Sequence, residues 1–210
     1  MHKENMNGSL SARIAVFISG GGSNLQALID ASRSGLLHGE IVLVISNLRK
    51  AYGLERARKG DIDTFVFKKK KYESLEAADA DLLARLKQHK VEYIALAGYL
   101  KLLPDNVVKA FHGKITNIHP ALLPKYGGKG MFGHHVHEAV LASGDKESGV
   151  SIHLVDEIYD SGRILHQVKV PVLPDDTPDS LAARVLEQEH KWYARILDKL
   201  IRGEYENQHD

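Results

Sequence analysis

Cysteine is absent from all 210 residues, which removes disulfides, thiolate nucleophiles and cysteine metal sites together and fits a reducing cytosol. An excess of either charge is missing too. The 28 lysines and arginines are matched by 27 aspartates and glutamates, so no global field recommends nucleic acid or an anionic membrane as a partner, and any anion must be held locally. No apolar run approaches bilayer length, and residues 1–11 lack the apolar core of a secretory signal, so the chain reads as cytoplasmic with a short flexible tail. Internal repeats and low-complexity stretches are also lacking. What remains is long enough for one sizeable core, and a single domain over residues 12–207 is expected.

Residues 13–18 form a continuous apolar run with β-branched side chains, closed by Ser19-Gly20-Gly21-Gly22-Ser23 before a helix that starts near Asn24. Strand, glycine loop, helix is a phosphate-site layout. Glycines admit an anion close to the backbone, and the amides of the helix start, with Ser23 and Asn24 as capping groups, aim donors at it. A dinucleotide fingerprint would need a third glycine where Leu25 stands, and the Gly-Lys-Ser/Thr of a Walker loop is absent. A mononucleotide phosphate is therefore favoured over NAD or ATP, with an empty glycine-rich turn as the bland alternative.

Further apolar runs at 41–45, 62–67 and 93–97 alternate with helical patterns at 53–59 and 73–89, the longer of which presents Leu75, Leu82, Leu83 and Leu86 at helical spacing. Such alternation through residue 112 predicts an α/β, mostly parallel sheet flanked by helices, with right-handed crossovers and ligands at the strands' carboxyl ends. The four lysines at 68–71 read as a solvated connection. At the carboxyl end of the 93–97 strand, Leu100, Lys101, Leu102 and Leu103 make an oddly apolar loop, either core or one wall of a slot for a flat aromatic ligand. A short helix with proline in its first turn is expected over 104–111.

The segment Ile115-Thr116-Asn117-Ile118-His119-Pro120 begins as a strand and stops at His119-Pro120, because proline fixes its own φ and holds the preceding residue extended. Strand residues two apart share a face, so Asn117 and His119 can converge on one small group, as an oxyanion stabiliser requires. The alternative is a strand end with two ordinary polar residues. Glycines at 127–133 suggest a mobile loop over this site, leading into a helix over 134–142. His134, His135 and His137 there invite a metal assignment, disfavoured because no acidic or cysteine cluster accompanies them. Residues 149–155 and 163–172 read as a hairpin with Asp156, Glu157 and Asp160 at its tip. A carboxylate brought to His119 would favour the imidazolium and raise its pKa, although for Asp156 and Glu157 a solvated turn is preferred. A last helix over 177–203 opens on Thr177-Pro178 and carries Leu181, Val185, Trp192, Ile196 and Leu200 as its apolar stripe.

Taken together, Ser19-Gly20-Gly21-Gly22-Ser23-Asn24-Leu25, Leu96-Ala97-Gly98-Tyr99, Asn117-Ile118-His119-Pro120-Ala121-Leu122-Leu123-Pro124 and Asp160-Ser161-Gly162 resemble the folate-dependent formyltransferases, in particular the glycinamide ribonucleotide formyltransferases of purine biosynthesis. The resemblance covers the chain beyond the tail and implies a Rossmann-like formyltransferase fold, with residues 12–112 as a nucleotide-binding half and 113–207 as a catalytic and folate-binding half. It also implies 10-formyltetrahydrofolate as co-substrate, no metal, and glycinamide ribonucleotide as acceptor. By that resemblance Gly22, Ser23 and Asn24 hold the acceptor phosphate, Glu189 binds its ribose hydroxyls, and Leu100, Lys101, Leu102 and Leu103, with Asn117 and Glu157, surround the folate. Asn117 and protonated His119 stabilise the tetrahedral oxyanion while Asp160 orients His119 and helps relay a proton. Two features depart from the pattern: Leu75 stands where some relatives carry a basic residue near the folate's glutamate tail, with the lysines at 68–71 as compensation, and the 127–133 loop is longer than in several relatives. A formyltetrahydrofolate hydrolase or methionyl-tRNA formyltransferase would share the Asn/His/Asp set but carries an extra domain. A non-catalytic nucleotide-binding module would use the glycine loop alone. Nothing in the pattern specifies an oligomeric state.

Overall fold

The computed structural model describes residues 11–156 and 160–205. In chain order the elements are β1 (Ala12–Ile18), α1 (Ser23–Ser34), β2 (Gly39–Ser46), α2 (Tyr52–Lys59), β3 (Asp63–Val66), α3 (Leu75–Gln88), β4 (Tyr93–Leu96), α4 (Asp105–Ala110), β5 (Ile115–His119), α5 (His134–Ser143), β6 (Glu147–Leu154), β7 (Ile164–Pro171) and α6 (Pro178–Ile201). One seven-stranded sheet runs β3-β2-β1-β4-β5-β6-β7. The first five strands pair in parallel, and β6 and β7 add to the edge antiparallel.

The apolar runs are continuous because the central strands are covered on both faces. In β1, Ile14, Val16 and Ile18 point into one core with α1, α2, α5 and α6, while Ala15 and Phe17 point into a second core with α3 and α4. These cores are the two faces of the sheet, and β4 and β5 pair across the division expected near residue 112.

Helix boundaries follow local chemistry. Gly35, in the left-handed conformation, ends α1, and the Ser74 hydroxyl accepts from Ala77 N–H to start α3. Thr177 and Ser180 form a reciprocal capping box at α6. Leu75 departs from expectation: it is the first residue of α3, 60 % exposed, and the buried stripe is Ala78, Leu82 and Leu86. Trp192 is half-buried, and it is Tyr193 that lies at the core, its hydroxyl donating to Leu96 O at 3.0 Å and lying 3.2 Å from Thr116 O. That contact pins α6 to the carboxyl end of β4 and the start of β5, one helical turn beyond Glu189.

The connection from β1 to β2 turns to one side of the sheet and β4 lies on the other, so the carboxyl ends of β1 and β4 border the crevice where such sheets bind ligands. Ser19 ties this edge together, which the sequence reading missed. Its amide donates to Gly98 O (3.1 Å), while its hydroxyl donates to Asn47 Oδ1 (2.6 Å) and accepts from Leu100 N–H (2.9 Å). The three loops after β1, β2 and β4 are thereby joined through one buried side chain.

Candidate active site

A cavity of about 710 Å³ opens at that edge, within the size range of small-molecule sites. The apolar loop after β4 lines it with Leu100, Lys101, Leu102 and Leu103. Leu103 is buried core, whereas Leu100 and Leu102 are exposed along the cavity. Gly128, Met131 and Phe132 of the glycine loop face it from the other side, with Val185, Leu186 and Glu189 of α6.

The end of β5 supplies the polar part. Asn117 and His119 share a face as expected, and both meet Asp160, which follows β6. Asn117 Nδ2 lies 3.4 Å from Asp160 Oδ1, and His119 Nδ1 lies 3.8 Å from Asp160 Oδ2. Asp160 has a positive φ of 52°, a conformation aspartate tolerates better than most residues, and its Oδ2 accepts from Gly128 N–H at 2.9 Å. Burial works against its charge, yet the His153 contact, the Gly128 amide and nearby His119 hold its carboxyl below the usual range.

His119 departs from the expected direction. Burial disfavours the imidazolium and outweighs Asp160 and the Tyr126 carbonyl, both of which favour it, so the pKa falls below the ordinary histidine value. The ring is buried, and its Nε2–H donates to Tyr126 O at 2.7 Å. That bond leaves Nδ1 as the atom facing Asp160.

His153 completes the network and was not singled out by sequence reasoning. Its Nδ1–H donates to Leu154 O at 2.8 Å, and its Nε2 lies 3.0 Å from Asn117 Nδ2 and 3.5 Å from Asp160 Oδ1. The missing information was strand pairing, since the antiparallel β5–β6 register sets Asn117 directly opposite His153. Two residues earlier, Ser151 Oγ accepts from Leu123 N–H (2.9 Å) and donates to Ala121 O (2.6 Å), and Gln167 Nε2 donates to Leu123 O (2.9 Å). These bonds hold the chain just past His119-Pro120.

The glycine loop is built differently from the expected side-chain caps. Gly22 occupies the N-cap of α1 with φ 72°, and no side chain caps the helix. A residue with a Cβ would be strained there. Asn24 instead turns its amide to Glu189, donating from Nδ2 to Oε2 at 2.7 Å, and its buried Oδ1 has no partner among the described residues. Among the described residues lining the cavity, the loop contributes Ser19, Gly20 and Asn24 rather than Gly22 or Ser23. Burial pushes the Glu189 carboxyl up to about 7, opposed by the Asn24 bond.

The three imidazoles at the start of α5 have different surroundings. His134, on the cavity lining, lies 3.3 Å from Asp179, His135 lies 3.4 Å from Glu138, and His137 is buried beside the cavity. Asp156 lines the cavity and accepts from Ser161 Oγ at 2.8 Å in an exposed bond within the turn, and Glu157 lies outside the described residues.

Residues 12–197 match the model of the formyl transferase family. The chain belongs to that family. It is 47 % identical over 188 residues to a cowpea (Vigna unguiculata) protein named phosphoribosylglycinamide formyltransferase, chloroplastic, covering 90 % of this chain and 60 % of the relative. The Escherichia coli K12 protein named phosphoribosylglycinamide formyltransferase is 40 % identical, covering 90 % of this chain and 87 % of its own. Glycinamide ribonucleotide transformylase 1 from Symbiobacterium toebii superposes with a TM-score of 0.87 at 38 % identity, over 95 % of this chain and 92 % of the other. The chain thus spans less than two thirds of the plant relatives it matches, 60 % and 64 % of their lengths.

Two consequences for this formyl transferase chain can be measured. Glu189 ionises more readily unfolded than folded, so its effect on stability is lost as pH rises from the ordinary glutamate value through about 7. Glu189→Gln keeps an oxygen for Asn24 and removes that loss. Its stability relative to wild type, from urea unfolding, should improve by about 3 kcal/mol between pH 4 and pH 8.5. The second consequence concerns Gly162, where a Cβ would fall against the Leu154 carbonyl, 2.8 Å from its carbon. Because backbone must move, Gly162→Ala should destabilise by about 1–3 kcal/mol in the same assay.

Proposed function

We propose that this chain transfers the formyl group of 10-formyltetrahydrofolate to the amine of glycinamide ribonucleotide, in purine biosynthesis and in the cytoplasm. The observation that carries the reading is the partly buried Asn117–His119–Asp160–His153 network on the wall of a cavity that also reaches the glycine loop. The names of the relatives support the same activity.

In this reading the amine attacks the formyl carbon, a new C–N bond forms, and the carbonyl electrons move onto oxygen. Asn117 and His119 stabilise that oxygen. The Asn117 amide is held from behind by His153, and its second hydrogen, only 3.4 Å-bonded to Asp160, is the one available to the substrate. His119 is neutral before reaction. A negative oxygen forming beside it reverses the balance that burial sets, and Asp160 holds the charge at Nδ1. The carbon–nitrogen bond to the folate then breaks, and the proton lost by the amine passes by way of His119, Asp160 and water to the departing nitrogen.

Gly22, Ser23 and Asn24 are assigned to the acceptor phosphate. Glu189 and the unpartnered Asn24 Oδ1 are assigned to ribose hydroxyls, which can donate to both. Leu100, Lys101, Leu102 and Leu103, with Asn117, are assigned to the folate, whose flat ring suits the apolar wall. No step is assigned to a metal or to nucleic acid.

Loss of the formyl group from a 10-formyl folate, followed by absorbance with and without glycinamide ribonucleotide, tests the proposal. Acceptor-dependent deformylation is expected. Acceptor-independent deformylation would instead indicate a hydrolase.

A further inference from the structure

Helix α2 (Tyr52–Lys59) takes no part in the network above and contributes no residue to the cavity lining among the described residues, yet it is bonded to the glycine loop twice in succession. Gly53 N–H donates to Gly20 O at 3.1 Å, and Arg56 Nε–H donates to Gly21 O at 2.9 Å. In a planar trans peptide the carbonyl of one residue and the amide N–H of the next point in opposite directions. With the Gly20 and Gly21 carbonyls both held toward α2, the N–H groups of Gly21 and Gly22 must both point away from it. Two consecutive amides aimed to one side, followed by the uncapped start of α1, form an anion-binding concavity.

Close packing leaves the loop little freedom to turn over. A Cβ at Gly22 would lie 2.7 Å from Gly53 Cα and 3.6 Å from Arg56 Cδ. The guanidinium is itself oriented, stacked 5.0 Å over the Tyr52 ring and reaching Gln26 Oε1 at 3.4 Å. Glycine at three successive positions makes the loop easy to flip, so something outside it must choose the direction of its peptides.

We infer that Arg56 is a positioning residue for acceptor recognition: its grip on the Gly21 carbonyl sets the Gly22 amide toward the phosphate of the bound nucleotide. The inference rests on the proposed function for the identity of the acceptor, but not for the loop geometry.

The test compares wild type with Arg56→Met, which keeps the side chain's length and removes every donor, and with Gln26→Ala, which removes the 3.4 Å contact and leaves the carbonyl grip. Calorimetric titration with ribose 5-phosphate should show Arg56→Met binding about tenfold or more weakly, as expected for losing a charge-assisted hydrogen bond, with Gln26→Ala close to wild type. In turnover, the KM for glycinamide ribonucleotide should rise by a similar factor, with kcat and the KM for formyl folate within about twofold. A phosphate-free acceptor, glycinamide riboside, should not distinguish Arg56→Met from wild type. An unchanged ribose 5-phosphate affinity in Arg56→Met, an equal loss toward ribonucleotide and riboside, an equal loss in Gln26→Ala, or no binding by wild type would each overturn the inference. Wild type that binds ribose 5-phosphate but transfers no formyl group would overturn the proposed function, while the calorimetry still decides the role of Arg56.

Discussion

His119→Ala is expected to lower turnover by about two to three orders of magnitude while leaving the protein folded, and Asn117→Ala to do the same. Asn117→Ala removes a donor, and His119→Ala a ring that takes on charge, for an oxygen that becomes negative only in the transition state, so kcat should fall while the acceptor KM changes little. Both side chains act on one atom, and the double variant should therefore lose far less than the product of the single losses. His119→Ala also leaves the Tyr126 carbonyl without its 2.7 Å donor, which costs about 1–3 kcal/mol, so the melting temperature must be recorded beside the kinetics. Turnover within tenfold of wild type in a folded His119→Ala protein would sink the assignment.

Asp160→Asn should be nearly as damaging to turnover, by about two to four orders of magnitude, for a different reason. Asparagine matches aspartate in shape, tolerates the positive φ at this position, and still offers an oxygen to the Gly128 N–H, so the loop is retained. The charge goes, and with it the second oxygen, which lies 3.4 Å from Asn117 Nδ2. Burial then lowers the His119 pKa with only the Tyr126 carbonyl opposing it, and the imidazolium has no counter-ion when the oxyanion forms. The carboxyl of Asp160 is depressed in the folded state, so its contribution to stability is present above the ordinary aspartate value and is lost as pH falls through the lower folded value. The stability advantage of wild type over Asp160→Asn should accordingly shrink below about pH 4, as acid unfolding followed by circular dichroism would show. A folded Asp160→Asn protein with near-normal kcat would remove Asp160 from the mechanism.

Short-range patterns carried much of this molecule. The apolar runs, the glycine loop, the proline that stops β5 and the capping residues of α6 are local features, governed by sterics and by periods of two or 3.6 residues, and the elements and the pairing of Asn117 with His119 on one face could be read from them directly. Recognisable motifs extended that reading to Asp160, 41 positions further along the chain than His119.

Three other matters depended on groups distant in the chain. Asn24 looked like a helix cap, but a buried carboxylate from the last helix claims its amide, and burial of an unpaired Glu189 would cost more than an uncapped helix start. His119 looked set for a raised pKa beside a carboxylate, but the direction is decided by how much water the assembled cavity excludes. His153 and Arg56 carry no local mark, and Ser19 is marked only as the head of the glycine loop, because their importance lies in which loop or strand folding brings opposite them. Hydrogen-bond partners and desolvation are properties of three-dimensional neighbours, and no spacing along the chain encodes them.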